Sequence, residues 1–207
     1  MREGDEVVLF DGKGLAAPAR LESIADQVVC QASPSTATEG ARARVVLLLS
    51  IPKGSKVDDC VRMATELGVD EVALMYTERT VPRWEPDRAR SRVDRLTRIA
   101  SEAAAQCERN DVPVVHPPRL CSAWLDQMPA HAVGVLFGAR ARGALRLEGR
   151  PEHVWCALGP EGGFTDEEIT LFKGAGFGAA SLGAGVLRVE TAVPAALTIL
   201  RDRLDAL

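Results

Sequence analysis

The chain has 207 residues, of which 46% are hydrophobic, 26% charged and only 4% aromatic, with a formal net charge of -4. This composition suits a globular protein with a sizeable core, one domain or one domain plus a small appendage, and excludes a disordered or fibrous chain. The net charge gives no general affinity for nucleic acid, and the scarcity of aromatics argues against recognition of many stacked bases.

In chain order, Val7–Phe10 reads as a strand, residues 11–14 (Asp-Gly-Lys-Gly) as a turn, and Leu21–Cys30 as a second extended run. Gly12 and Gly14 sit between two strand-like runs, the place of a hairpin turn rather than a phosphate loop. Gln31–Gly40, rich in Ser, Thr, Pro and Ala, reads as a linker, so residues 1–40 form a small β domain with its linker and 41–207 a second domain. From residue 43 strands alternate with helices, the signature of an α/β domain with a mainly parallel sheet. Val45–Leu49 is a continuous apolar run suited to a strand covered on both faces. Val57–Leu67 has helical spacing and Gly68 as a cap, and a strand is expected at 71–76.

A long helix is expected from Ser91 to Cys107, with Val93, Leu96, Ile99, Ala100 and Ala103 inward and arginines outward. Between Arg79 and Arg98 lie seven arginines and three carboxylates, a local excess of positive charge, and Arg140, Arg142, Arg146 and Arg150 make a second basic run. Strands follow at Val112–His116, Val133–Phe137, His153–Leu158 and Ala179–Leu182. Helices are expected at 121–127, at 165–174 behind a Thr165/Glu168 capping box, and at 189–204 with Pro194 near the first turn.

The five cysteines, Cys30, Cys60, Cys107, Cys121 and Cys156, form no CxxC, and His116, His131 and His153 lack ligand spacing, so neither a disulfide framework nor a metal is indicated. The first residues carry no signal-peptide apolar region and Val45–Leu49 is too short to span a bilayer. A cytoplasmic location away from the membrane is expected. Trp84, Trp124 and Trp155 read as packing residues.

Two stretches carry the chemistry: Leu158-Gly-Pro-Glu-Gly-Gly-Phe164 and Leu182-Gly-Ala-Gly-Val-Leu-Arg-Val-Glu-Thr-Ala192. Each sets glycines between a strand end and a helix start, where bare backbone and free helix N–H groups can approach a ligand. Ligands of open α/β sheets gather outside the carboxyl ends of the strands, so two such loops suggest one composite pocket for a nucleoside or a carboxylate.

These stretches follow Pro52-Lys-Gly54, Ala64-Thr-Glu-Leu-Gly-Val-Asp-Glu71, Glu78-Arg79-Thr80 and Ala103-Ala-Ala-Gln-Cys-Glu-Arg-Asn110 in an order that resembles the RsmE family of SPOUT-class methyltransferases, over nearly the whole chain. The resemblance implies S-adenosylmethionine as cofactor and methylation of uridine N3 in small-subunit (16S) ribosomal RNA. It also implies a deep C-terminal trefoil knot, a PUA-like N-terminal β-barrel, and a homodimer acting on ribosomal RNA or the small ribosomal subunit. The chain departs from the family pattern at Arg62-Met63, at Ala184-Gly185 and in the segment before Gly4, where family members usually continue. A catalytically silent RNA-binding relative and a methyltransferase for another RNA are therefore alternatives.

On the resemblance, the cofactor-binding residues are Leu136, Phe137, Gly159, Pro160, Glu161, Gly162, Gly163, Leu182, Gly183, Leu187 and Thr191. Arg79 and Arg83, with Arg109 and Asn110 at the end of the long helix, are the RNA-binding candidates. For the last two a helix-end cap is the rival reading. Arg188 is expected to stabilise the developing uracil anion and Glu190 to orient the base, or to accept its proton if its pKa is raised. Glu190 as a helix-start carboxylate favoured by the dipole is the alternative.

Overall fold

Asp70 and Glu71 anchor the amino-terminal ends of the central strands. The computed structural model describes residues 1–37, 42–138, 141 and 143–205. Arg140 and Arg142 of the second basic run lie outside that set. The chain forms two compact units, Met1–Ala41 with Ala104–Val112, and Arg42–Ala103 with Pro113–Leu207.

In the first unit β1 (Glu6–Phe10), β2 (Leu15–Ile24) and β3 (Val28–Ala32) form an antiparallel sheet, and β4 (Thr36–Ala37), in the stretch read as linker, pairs with Leu15 and Ala16 of β2. The 11–14 segment is the hairpin turn expected. The Asp11 carboxylate accepts from the N–H groups of Lys13 (2.7 Å) and Leu15 (3.0 Å), and Gly12 and Gly14 take the positive φ that the turn needs. Residues 110–112 line this turn: Gly14 N–H donates to Asn110 O and Val112 N–H to Gly12 O.

The second unit is the α/β fold expected, a six-stranded, wholly parallel sheet in the order β10-β8-β9-β5-β6-β7. Its strands are β5 (Arg44–Ser50), β6 (Glu71–Tyr76), β7 (Val114–Leu120), β8 (Val133–Phe137), β9 (His153–Leu158) and β10 (Phe177–Ala180). Its helices are α1 (Lys56–Glu66), α2 (Pro86–Gln106, counted in this unit as far as Ala103), α3 (Cys121–Leu125), α4 (Asp166–Gly174) and α5 (Val189–Asp205). β5 lies between β6 and β9, and Val45–Leu49 are fully enclosed, as a strand covered on both faces requires. Alternate residues Val46 and Leu48 join Met75, Trp124, Trp155, Phe164, Phe172 and Phe177 in one core, while α1 and α5 pack on each other and α5 meets β9.

Several elements differ from the sequence reading. The extended run read through Leu21–Cys30 is broken at 25–27 into the antiparallel strands β2 and β3. α2 begins at Pro86, because a first-turn proline needs no N–H and has φ preset for a helix. β7 runs on through Pro117 and Pro118, which an edge strand tolerates. β10 sits two residues earlier than expected, because buried Phe177 fixes it: its ring packs edge-on against Phe172 and lies where a Cβ on Gly134 would be. Pro194 stands in the second turn of α5 rather than the first, so the Glu190 carbonyl loses its helical donor. The capping box is present, with Thr165 Oγ1 accepting from Glu168 N–H and the Glu168 carboxylate accepting from Thr165 N–H. All five cysteines are free, and among the described residues no helix is long and apolar enough to cross a membrane.

At the amino ends of the strands, Glu71 bonds His116 Nε2 at 2.5 Å and Arg44 at 2.9 Å, and Asp70 pairs with Arg42 at 2.8 Å and accepts from Val45 N–H at 2.7 Å. His116 first, and then Arg44, hold the Glu71 carboxyl below the usual carboxylate range. A depressed folded-state pKa contributes stability above the ordinary value that is lost as pH falls through the depressed one. Glu71→Gln should lower the unfolding free energy at pH 7 by about 1–3 kcal/mol. Urea titrations should find that difference shrinking below about pH 4, and a difference that stayed constant to lower pH would contradict this.

Candidate functional site

Phe137 at the end of β8 pairs in register with Leu158 at the end of β9 and with Ala180 at the end of β10. Three loops therefore leave the sheet side by side, at 138, 159–164 and 181–188. Between them lies a cavity of about 620 Å³, within the ~300–1,000 Å³ usual for small-molecule sites. A concavity of about 540 Å³ on the first unit's sheet, lined by Glu6, Arg20 and Gln31 among others, has no glycine loop or helix start on its walls.

The glycine loop is held from three directions. Glu161 Oε1 accepts from Lys53 N–H at 3.2 Å, Arg79 donates to Gly162 O at 2.8 Å, and Glu168 Oε1 accepts from Glu78 N–H at 2.8 Å. The turn that delivers Glu78 and Arg79 is fixed by three buried hydroxyls. Thr80 Oγ1 lies 2.7 Å from Ser50 Oγ and 2.8 Å from Thr77 Oγ1, and accepts from Thr77 N–H. Two glycines are required outright: a Cβ on Gly159 would meet the Phe164 ring at 2.9 Å, and Gly163 has φ +70°.

The cavity wall contains Leu136, Phe137, Gly159, Pro160, Glu161, Gly162, Gly163, Leu182, Gly183 and Leu187, so these expected residues come together at one place. Thr191 does not join them; it lies in the first turn of α5 with its side chain exposed. Arg79, expected to meet RNA, is part of the wall, whereas Arg83 stands outside it. Arg109 and Asn110 belong to the first unit, where Arg109 pairs with Asp111 at 2.7 Å and the Asn110 carbonyl serves the Gly14 turn. Asp166, Ile169 and Lys173 line the cavity without having been singled out. Their spacing of three and then four residues along one helix that follows the glycine loop is the signal that could have found them. Among the described residues no cluster of His, Cys, Asp or Glu could hold a metal ion.

Arg188 and Glu190 flank the cavity rather than line it, but their chain neighbours Leu187 and Val189 are on the wall. Arg188 O accepts the first N–H bonds of α5, from Thr191 and Ala192. Glu190 pairs with Lys56 Nζ of α1 at 2.9 Å, and its Oε2 is enclosed with no hydrogen-bond partner among the described residues. A backbone hydrogen bond at the helix start, then Lys56, and then the charge of Arg188 hold its carboxyl below the usual range. This is the reverse of the raised value on which a role as proton acceptor is conditional, and it favours the helix-start carboxylate reading. Lys56 itself escaped sequence analysis because it lies far from residue 190 in the chain. Lys56→Met should move the Glu190 carboxyl titration upward, followed by carboxyl carbon NMR; an unmoved titration would mean that the ion pair is immaterial.

Residues 39–201 match the family model of the RNA methyltransferase domain. The chain is 31% identical to the ribosomal RNA small subunit methyltransferase E of Synechocystis, over all of this chain and 69% of that one. It superposes on a ribosomal RNA small subunit methyltransferase E from Neisseria gonorrhoeae bound to S-adenosyl methionine with a TM-score of 0.89 and 30% identity, covering 98% of this chain and 84% of that one. A Legionella pneumophila structure described as a putative methyltransferase in complex with the same cofactor gives a TM-score of 0.88 at 28% identity, with 98% and 84% coverage. With the glycine loops already seen to share one cavity, these likenesses place the chain in the RNA methyltransferase family, among the proteins of the ribosomal RNA small subunit methyltransferase E type.

Proposed function

We propose that this protein transfers a methyl group from S-adenosylmethionine to N3 of a uridine in 16S ribosomal RNA, acting as a cytoplasmic homodimer on the small ribosomal subunit or its RNA. In this reading residues 41–207 are a SPOUT domain whose C-terminal loops form a deep trefoil knot. Residues 1–40, with their linker, are part of a PUA-like barrel.

The observation that carries the reading is the convergence of two glycine loops and the end of β8 on one cavity. The residues there suit the cofactor. Leu136, Phe137, Ile169, Leu182 and Leu187 give apolar walls for a flat base, and Gly159–Gly163 exposes backbone. Glu161 supplies a carboxylate at the rim that can accept from ribose hydroxyls. The bound cofactor supplies an electrophilic methyl group.

The chain's part is then to orient and to balance charge. N3 of uridine carries a proton, and as the N3–C bond forms and the S–C bond breaks that proton must leave. Glu190, made a weaker base than an ordinary carboxylate by the helix start and Lys56, is poorly matched to take it; in this reading the proton passes to water while Arg188 stabilises the uracil anion. The Arg188 guanidinium has neither a hydrogen-bond nor an ion-pair partner among the described residues, and Lys56 keeps Glu190 from claiming it.

Methyl transfer from labelled S-adenosylmethionine to unmodified small subunits, read by nucleoside mass spectrometry, tests the reading. Wild type should form N3-methyluridine and Arg188→Ala should be slower by roughly 10²–10³-fold, the usual cost of one anion-stabilising donor. No product above that variant would refute it. Gly159→Ala, which drives a methyl group into the Phe164 ring, should weaken cofactor binding by at least about tenfold in calorimetry, equivalent to ~1.4 kcal/mol.

A further inference from the structure

The arginines of the second unit divide by what holds them. Arg42, Arg44 and Arg201 at the amino ends of the strands, and Arg62 and Arg95 on the helices, pair with carboxylates: Asp70, Glu71, Asp70 again, Asp59 and Asp58. Their charge is largely cancelled. Around the carboxyl ends of β6 and β7 the holders are uncharged. Arg83 lies 4.5 Å over the Tyr76 ring and donates to Thr77 O at 3.0 Å, Arg92 lies 4.8 Å over Trp84, and Arg119 lies 4.9 Å over Trp124.

The supports are themselves fixed. The backbone N–H of Trp84 donates to Tyr76 Oη at 2.9 Å, which ties the Tyr76 ring to the chain that carries Trp84, the Trp84 ring is buried, and Trp124 Nε1 donates to Leu74 O at 2.7 Å. Arg119 pairs in register with Met75, one residue before Tyr76, so it continues the row around the edge strand. All three arginines are exposed, and none forms an ion pair among the described residues. Arg79, four residues before Arg83, is held by Gly162 O on the cavity wall, so the row begins at the candidate site.

We propose that Arg83, Arg92 and Arg119 form a built phosphate-binding surface that holds the RNA backbone as it runs into the cavity. A guanidinium stacked on a ring keeps its N–H edge free for two-pronged contact with phosphate, retains its full charge, and has lost its rotational freedom before RNA arrives. A carboxylate partner would hold the side chain equally well but cancel the charge. Phosphate contacts set register and affinity rather than base identity, so this surface positions the substrate for the loops that select the nucleotide.

The proposal rests on the ribosomal RNA methyltransferase reading, and the test separates the two. A fluorescent, unmodified small-subunit rRNA transcript is titrated with the protein at several salt concentrations, and S-adenosylmethionine binding is measured in parallel by calorimetry. The triple variant Arg83→Gln, Arg92→Gln, Arg119→Gln should bind RNA about 30-fold more weakly, with the log–log salt slope reduced by about 2–3, at roughly 0.7–0.9 per phosphate. Its cofactor affinity should stay within about twofold of wild type, which also certifies folding. The corresponding triple lysine variant should keep the salt slope yet bind about fivefold more weakly, because charge is retained and ring support is lost. Wild-type RNA affinity and slope in the glutamine variant would overturn the proposal, and lysine affinity equal to wild type would overturn the role of the rings. A wild-type protein that bound neither transcript nor cofactor would instead overturn the underlying reading.

Discussion

The carboxylate of Glu168 ties the glycine loop to the sheet, and the site depends on it. One oxygen accepts from Thr165 N–H and closes the capping box of α4; the other accepts from Glu78 N–H in the turn after β6. A single side chain thus sets where the loop ends, where α4 begins and how near Arg79 comes to Gly162. The Ser50–Thr77–Thr80 hydroxyls secure the other half of the same junction, inside a core where unpaired polar groups would be costly. The glycines can present backbone to a ligand because their surroundings, rather than their own side chains, fix the loop.

The two ends of the parallel sheet use charge in opposite ways. At the amino ends, cations and carboxylates close on each other in a network around Asp70 and Glu71 that serves folding. Around the carboxyl ends of β6 and β7, Arg79, Arg83, Arg92 and Arg119 rest on rings and carbonyl oxygens and stay positive, although Lys56 and Glu190 pair beside the cavity. A net charge of -4 is therefore no guide to what the chain binds, because the average conceals a segregation along the strand axis.

Much of the site was legible in the sequence because backbone chemistry dictates it. The glycine runs after His153–Leu158 and after the last strand, ambiguous singly between simple turns and ligand loops, pointed to one pocket as a pair, and Thr165 with Glu168 wrote its own helix start. The register among Phe137, Leu158 and Ala180 was not legible, since it depends on strands distant in the chain. The two-residue shift of β10 has the same origin: Phe177 is placed by Gly134 and Phe172, neither visible from local alternation. The sequence leaves open whether Glu190 orients, accepts a proton or only caps the helix start, because only the packing of α1 on α5 brings Lys56 to it. Arg92 was legible only as one of the arginines of the basic 79–98 stretch and Arg119 not at all, because a ring under a guanidinium leaves no trace in composition.

Backbone amide NMR during titration with S-adenosylmethionine tests the central claim most directly, that the two glycine loops are walls of one methyl-donor pocket. Saturable shifts should concentrate at Gly159, Gly162, Gly163, Gly183 and Leu187 together, with one apparent affinity, while Gly12 and Gly14 of the hairpin stay unmoved. Shifts confined to one loop, or none in either at saturating cofactor, would contradict it.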